Sequence, residues 1–584
     1  MVKIKVFQKF NCLQQKIVVE KGENMFSSLD EVKNLFIRSR NFACPVIAYE
    51  SCSYYDSISN IQRWIQLEKE ENNDTLLSEE ELPVYLRWSV IEGFSPLYND
   101  EASIKYCDSK NLTEKGYLKQ PDFFKDIKSV LDDITNHSLL IIEDADTYFH
   151  EFKGAANAAF RAKLLSSIRN IHNSFKLKGA TLVLMGYYFD ISSDFSEHIV
   201  YLNEPLPNHE DLTDLVHKIY KTMGMSLLGE NDLFKYVFPL RGCSLSVAEN
   251  LLALSFDKGV GINLKTLWKL KEKDINATAG LSYTSSNVKL GDIAGLYALK
   301  EWLIAIFNGK KPPLLVLYID EIEKVIPSSK FLDKEGGSSS SNVLAKFLSA
   351  IADNNWKLQI LDGWAGSAKS TLAKAVANEF ADRGAISITV DMTSLRDKFQ
   401  GEAEKKATLL IKKIVAIGGE NVLIIGTGNN THDLSDPFIS RINYGHWYID
   451  GRNLRTDIWA LKLYKHQLIS ENSYNTIVNS KNKENEIKKL IPNFSDLIEI
   501  EYSGRDIDNI CSNANELGVS ISKAASLNIP LSVSKGEQIA QSRTNAVNRM
   551  LDANTGVIYG NELPTEQTGN SFFLDLPKVS SSIN

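Results

Sequence analysis

Gly363-Trp364-Ala365-Gly366-Ser367-Ala368-Lys369-Ser370-Thr371 is the stretch whose reading decides the fold. The apolar run Leu358-Gln359-Ile360-Leu361 leads into it, and the helix-forming run Leu372-Ala373-Lys374-Ala375-Val376-Ala377 leads out. Strand, glycine-containing turn, Lys-Ser and helix together make a cradle for phosphates. Gly363, Gly366, Ser367 and Ala368 are small enough to let backbone N–H groups turn inward, and the helix N-terminus adds partial positive charge. Lys369 is then expected to reach the β- and γ-phosphates, with the Ser370 hydroxyl on Mg2+ and Thr371 opening the helix. The usual pattern has Gly directly before the Lys; here Ala368 stands there. For these residues alone, the alternative is a plain small-residue turn between a strand and a helix.

A second stretch bears on that choice. Leu314-Leu315-Val316-Leu317-Tyr318-Ile319 runs straight into Asp320-Glu321. A buried strand that delivers two carboxylates at its end is costly unless they meet a cation or water. In a P-loop ATPase the Asp sits behind Mg2+ and the Glu polarises the attacking water. Alone, the run is equally a solvated strand end; beside the Lys-Ser loop it favours a nucleotide site.

The 584 residues are too many for one core and predict two to four domains. A hydrophobic share of 43% with 24% charged residues is ordinary for a globular chain, and the net charge of −8 argues against a broad nucleic-acid surface. Six cysteines lie scattered with no CxxC spacing, which points to reduced thiols in place of a zinc site or disulfide framework. His432, His446 and His466 share no spacing and read as ordinary histidines. No run has the form of a signal peptide or approaches the ~20 apolar residues of a membrane span. The expected setting is cytoplasmic, or the plastid stroma if the chain is organellar, with no membrane.

In the first half, residues 45–50, 84–90, 139–142, 180–186 and 199–202 read as strands with helical stretches between them, which predicts a parallel α/β sheet. Residues 207–255 read as all-helical. Ser51-Cys52-Ser53 follows the first strand where a phosphate loop could stand, but without a Lys. Glu143, Asp144 and Asp146 are therefore expected to be relics or solvated strand-end charges. Beyond Lys369, residues 385–390, 421–428 and 447–449 read as strands and residues 454–525 as helices. The expected domains are 1–255, a linker over 256–289, an α/β core over 290–453, a helical lid over 454–530, and a polar, partly disordered tail over 531–584.

These motifs together resemble an AAA+ ATPase over roughly residues 288–525. Asp292-Ile293-Ala294-Gly295-Leu296 with Leu299-Lys300 resembles the family's "D-I-G-G-L…L-K" segment, which implies Ile293 and Gly295 beside an adenine. Residues 363–371 resemble Walker A, and residues 317–321 resemble Walker B. The resemblance implies ATP and Mg2+ as ligands, Asp320 and Ser370 at the metal, and Glu321 as the water-activating acid. It implies Asn429 as sensor 1, Arg441 (in Phe438-Ile439-Ser440-Arg441) as an arginine finger for a neighbouring subunit, and Arg505 (in Tyr502-Ser503-Gly504-Arg505-Asp506-Ile507) as sensor 2. Lys398-Phe399-Gln400-Gly401-Glu402 resembles the pore loop that grips a threaded polypeptide; Phe399 reads equally as a core residue. Residues 201–207 and 241–250 resemble the plastid and cyanobacterial AAA ATPase family, whose N-terminal half is a degenerate ATPase-like domain. The fold expected is thus α/β: a P-loop NTPase-like parallel sheet with a helical lid, preceded by a degenerate α/β ATPase-like domain. The function implied is ATP-driven remodelling of a protein partner by a homo-oligomeric ring. The alternatives are a nucleotide-binding scaffold without turnover and a DNA-associated AAA+ protein, nucleic acid being disfavoured by the acidic balance.

One departure stands out: the family has Walker A before Walker B, whereas here the Asp320 strand precedes the Lys369 loop. The block near residues 309–354 looks transposed. A reordered chain can fill the same places in a sheet if its crossovers stay long enough, so a permuted but spatially ordinary site is expected.

Overall fold

The computed structural model describes residues 28–42, 44–71, 82–112, 118–149, 155–189, 195, 197–226, 228–257, 260–284, 286–325, 338–364, 366–381, 384–391, 400–429, 431, 434–491 and 493–561. Phe399, His432 and residues 562–584 lie outside the described residues. The chain divides into two compact units, residues 1–267 and 268–584.

The first unit holds a six-stranded sheet of β1 (Val46–Glu50), β2 (Tyr85–Ser89), β3 (Gly93–Pro96), β4 (Leu139–Ile142), β5 (Thr181–Gly186) and β6 (Val200–Asn203), in the order β3-β2-β4-β5-β1-β6. All pairs are parallel except β2–β3. Continuous apolar runs suit such strands because both faces are covered. Along β1, Val46 and Ala48 enter one core while Ile47 and Tyr49 enter the other. Helix α1 (Tyr54–Glu71) follows β1, and α2 (Ala155–Lys178) leads into β5. The helices His209–Thr222, Glu230–Val237 and Leu245–Leu254 make up the helical part. Of the three acids after β4, Asp144 is exposed, as a solvated strand-end charge would be, whereas Glu143 and Asp146 are not. Glu143 pairs with Arg87, Asp144 accepts the Tyr54 hydroxyl at 3.0 Å, and Asp146 is buried.

The described residues of the segment 256–289, expected as a linker, carry secondary structure. They carry the hairpin β7 (Phe256–Asp257) and β8 (Gly261–Ile262), helix α3 (Leu264–Asn276) and β9 (Leu281–Tyr283). Buried Leu281 and the Thr284–Thr389 hydroxyl contact at 2.6 Å fasten this segment to the second sheet, where β9 adds antiparallel.

That sheet contains β10 (Leu315–Ile319), β11 (Lys357–Gly363), β12 (Ile386–Val390), β13 (Val422–Gly428), β14 (His446–Ile449) and β15 (Leu551–Asp552), in the order β15-β14-β11-β13-β10-β12-β9. Every pair except β12–β9 is parallel. The Asp320 strand and the Lys369 strand both pair with β13, which lies between them. Helices α4 (Tyr297–Asn308), α5 (Ser338–Asp353), α6 (Lys369–Glu379) and α7 (Gln400–Gly418) connect or cover the strands. The four serines Ser338 to Ser341 form the first turn of α5. Read from β2 to β6, the first sheet runs β2-β4-β5-β1-β6; the second runs β12-β10-β13-β11-β14. The strand before the Lys loop (β11) and the strand before Ser51 (β1) occupy the same place in their sheets, although their chain orders differ.

Six helices lie between Arg455 and Ser526 among the described residues, and α8 (Gly504–Leu517) begins with Ser503 and Asp506 bonded reciprocally as a capping box. Of the expected tail, residues 562–584 lie outside the described residues. Residues 531–561 are folded: β15 pairs with β14, and Ala546, Met550 and Tyr559 pack on buried Tyr448. A few aromatic and charged anchors do this in a stretch of polar composition. Asp450 accepts the Tyr559 hydroxyl at 2.5 Å and Arg452 at 2.8 Å, and Arg543 bonds Glu501 at 3.0 Å.

Candidate functional site

The C-terminal ends of β11, β13 and β10 bring the expected residues together. Gly363 has φ 151, and a Cβ there would stand 2.7 Å from the Ile449 carbonyl, so only glycine lets the chain leave β11 this way. Gly366 has φ 84. Ala368, in the position the phosphate-loop pattern gives to Gly, sits in the left-handed region at φ 65, ψ 16. The backbone requirement that Gly would meet without strain is therefore present, and Ala meets it at a cost of about 1–2 kcal/mol.

Lys369 opens α6 and is buried. Its ammonium donates to the Gly363 carbonyl at 2.5 Å, the Trp364 carbonyl at 2.9 Å and Asn429 Oδ1 at 3.1 Å. Burial lowers its pKa to about 8, against the pull of Asp362, Glu323 and Asp320. Ser367 donates to the Trp364 carbonyl at 2.8 Å. Thr371 faces outward.

Asp320 and Ser370 meet through one hydroxyl cluster. The Thr427 hydroxyl donates to Asp320 Oδ1 at 2.6 Å and lies 3.5 Å from the Tyr318 hydroxyl. The Tyr318 phenol also meets the Ser370 side chain, and burial pushes its pKa up. Carboxylate and hydroxyl oxygens from Asp320 and Ser370 are the hard donors that Mg2+ takes. Among the described residues there is no group of three or more His, Cys, Asp or Glu fit to hold a metal. A Mg2+ held by one carboxylate, one hydroxyl and phosphates needs no such group.

Glu321 follows with φ 48, a left-handed residue that turns the chain off β10; its N–H donates to Asp320 Oδ1 at 3.2 Å. Sequence reasoning missed three residues here. Glu323 Oε1 accepts the Asn429 N–H at 3.1 Å, while Oε2 is buried with no partner among the described residues. Burial, then Asp362 and Glu321, raise the Glu323 pKa, opposed by its N–H bonds. Asp362 Oδ2 accepts the Thr431 N–H at 2.8 Å and Oδ1 has no partner among the described residues. Thr431 also lies 2.7 Å from His446 Nε2.

The remaining expected residues fall around this centre. At Gly366 a Cβ would stand 2.9 Å from Ser503 Oγ and 3.5 Å from Arg505 Cβ, so the start of α8 lies on the phosphate loop. Ile293 is buried and its carbonyl accepts from Lys300; a Cβ on Gly295 would stand 2.3 Å from Leu454 Cδ2. Arg441 turns its guanidinium onto the short helix just before it, donating to the Pro437 carbonyl at 2.5 Å. Of the pore-loop motif, residues 398 and 399 lie outside the described residues, and Gln400–Gly418 forms α7.

No family model matches the chain. It is 27% identical over 231 residues to the "Uncharacterized AAA domain-containing protein ycf46" of Guillardia theta, covering 38% of this chain and 43% of that protein. It is 26% identical over 140 residues to the protein of the same description in Trieres chinensis, covering 23% of this chain and 28% of that one. The chain thus spans less than half the length of either relative. These similarities support a place in the AAA superfamily, and the mostly parallel α/β sheets are compatible with a P-loop NTPase-like fold. No helix among the described residues is long and apolar enough to cross a membrane.

Proposed function

We propose that the chain is an AAA+ ATPase whose hydrolysis of Mg-ATP drives remodelling of a protein partner. The observation that carries this reading is the 3.1 Å contact between Lys369 Nζ and Asn429 Oδ1, which joins the phosphate loop to the end of β13 beside Asp320. Carboxylate oxygens of Glu323 and Asp362 without a partner among the described residues, and Lys369 donating to carbonyls of its own loop, leave this cradle polar capacity to spare. On this reading the loop N–H groups and Lys369 bind the triphosphate, and Ser370 and Asp320 hold Mg2+. Glu321 orients and deprotonates water, and Asn429 fixes its position. Mg2+ bound there would withdraw charge from the phosphate oxygens. Ile293, Gly295 and the start of α8 with Arg505 enclose the nucleotide, and Arg441 serves the next subunit of a ring. The protein partner and the ring are inferred from the AAA resemblance alone.

A scaffold that binds nucleotide without turnover is the second reading, favoured by Ala368, which carries left-handed strain where the phosphate-loop pattern has Gly. Steady-state Mg-ATP hydrolysis by the intact chain and by Glu321→Gln, over a range of protein concentrations, separates the two. Turnover that rises with concentration and disappears in the variant supports the ATPase. Bound nucleotide with no turnover in either protein supports the scaffold.

A further inference from the structure

Both units carry the same arrangement after the strand that precedes their acids. β4 is followed by Glu143, left-handed Asp144 (φ 51), buried Ala145 and Asp146; β10 is followed by Asp320, left-handed Glu321 (φ 48), buried Ile322 and Glu323. In each, the fourth residue reaches across to the neighbouring strand and receives the N–H just past its terminal glycine. Asp146 Oδ2 takes the Tyr187 N–H at 3.3 Å and the Tyr188 N–H at 3.4 Å; Glu323 Oε1 takes the Asn429 N–H at 3.1 Å. In each, the acid side chain crowds the place a glycine side chain would take, at Gly428 together with the Thr431 methyl. A Cβ on Gly186 would stand 2.5 Å from Asp146 Cβ, and one on Gly428 would stand 2.7 Å from Glu323 Oε2.

We propose that Glu323 is a positioning residue: its carboxylate clamps the Asn429 backbone and so aims the Asn429 amide at Lys369. The first unit has the clamp without a lysine loop, since Ser51-Cys52-Ser53 stands there. A device that persists where no phosphate chemistry is served works on the backbone, not as a proton acceptor. The first unit's clamp ends in Tyr187, stacked on Tyr54 with ring centres 4.7 Å apart; the second unit's ends in Asn429, bonded to Lys369. The same holder thus presents different side chains.

The kinetic arm of the test rests on the ATPase reading. In the full chain, Glu323→Ala is expected to lower kcat about 10- to 100-fold with KM for ATP little changed, the scale of a misplaced active-site group. Glu323→Gln keeps an oxygen for the same N–H and is expected to hold kcat within about threefold. Amide hydrogen exchange at residues 422–431 is expected to speed up in Glu323→Ala and to stay slow in Glu323→Gln. Glu323→Asp, one methylene short, falls between them and serves if the Ala variant does not fold. Glu323→Gln as inactive as Glu323→Ala, with exchange still slow, would overturn the proposal in favour of a role for the charge. Unchanged kcat and exchange in Glu323→Ala would overturn it outright. A wild-type chain without turnover removes the ATPase reading, while exchange still judges the clamp.

Discussion

Asp362 is held twice by Thr431: its Oδ2 takes both the backbone N–H, at 2.8 Å, and the side-chain hydroxyl. Asp362 is the next-to-last residue of the strand that carries the phosphate loop, and Thr431 lies just past β13, so the pair pins the turn after β13 to that loop. The Thr431 hydroxyl is shared with His446 Nε2 on β14, which brings a third strand into the fastening.

Thr431→Val keeps the shape and removes the hydroxyl, leaving buried Asp362 one donor short. The expected loss of stability is about 1–3 kcal/mol, the cost of an unsatisfied buried polar group. Chemical denaturation read by tryptophan fluorescence checks it, and an unmoved midpoint contradicts it.

Lys369 supplies a pH signature. In the free protein its ammonium gives up its proton near 8, well below the ordinary lysine value of 10.5, because burial disfavours the charge. Between those values the unfolded chain holds more protons at this residue than the fold does. Its contribution to folding stability therefore rises with pH through that window. Nucleotide binding needs the charged form and should move the other way. Affinity for a fluorescent ATP analogue is expected to fall about tenfold between about pH 7 and about pH 9. A Lys369→Arg variant that still binds should lose this dependence, and a flat wild-type profile would exclude Lys369 as the titrating contact.

Ala368→Gly relieves the left-handed residue before Lys369. Removing about 1–2 kcal/mol of backbone strain against about 0.5–1 kcal/mol of extra chain entropy for glycine leaves a net gain of roughly 0–1.5 kcal/mol. Equilibrium unfolding of the two proteins side by side measures it; a destabilised variant would mean that the alanine methyl makes contacts worth more than the strain.

Asp450 joins the folded C-terminal segment to the sheet. Burial alone would raise its pKa, but hydrogen bonds from Arg452 and Tyr559 and the charge of Arg543 hold it below the ordinary 3.8. Its stabilisation is thus complete above that value and is lost as pH falls from there through the folded pKa. Asp450→Asn is expected to cost about 1–3 kcal/mol at neutral pH, since it removes the buried acceptor of charge-assisted hydrogen bonds while its partner Arg452 remains in reach of water. It should also open residues 531–561 to protease. Intact resistance in the variant would show that the strand pairing of β15 suffices without the charges.

Strands β1, β10, β11 and β13 are legible in the sequence because each is an apolar run ended by a glycine or an acid. The Lys369 loop is legible because its chemistry is local. Glu323 is not, because its partner lies on another strand, 106 positions away. The available signal was the shared acid-acid-x-acid spacing of Glu143 to Asp146 and Asp320 to Glu323. β3 is hidden by Pro96 and Gly93, residues that ordinarily weaken a strand. Residues 531–561 read as tail because polar composition cannot show that Tyr559 and Arg543 find buried partners.

Strand order has a consequence for synthesis. In the first unit β4 emerges after β2, one of its two neighbours, and can pair at once. In the second, both partners of β10 come later: Leu315 pairs with Ile386 and with Val422. At roughly 5–20 residues per second, β10 waits several seconds on the ribosome with both edges open. A fully apolar strand in that state is a template for mispairing. Nascent chains of this protein stalled between β10 and β12 should therefore recruit holding chaperones more strongly than chains stalled just past β13.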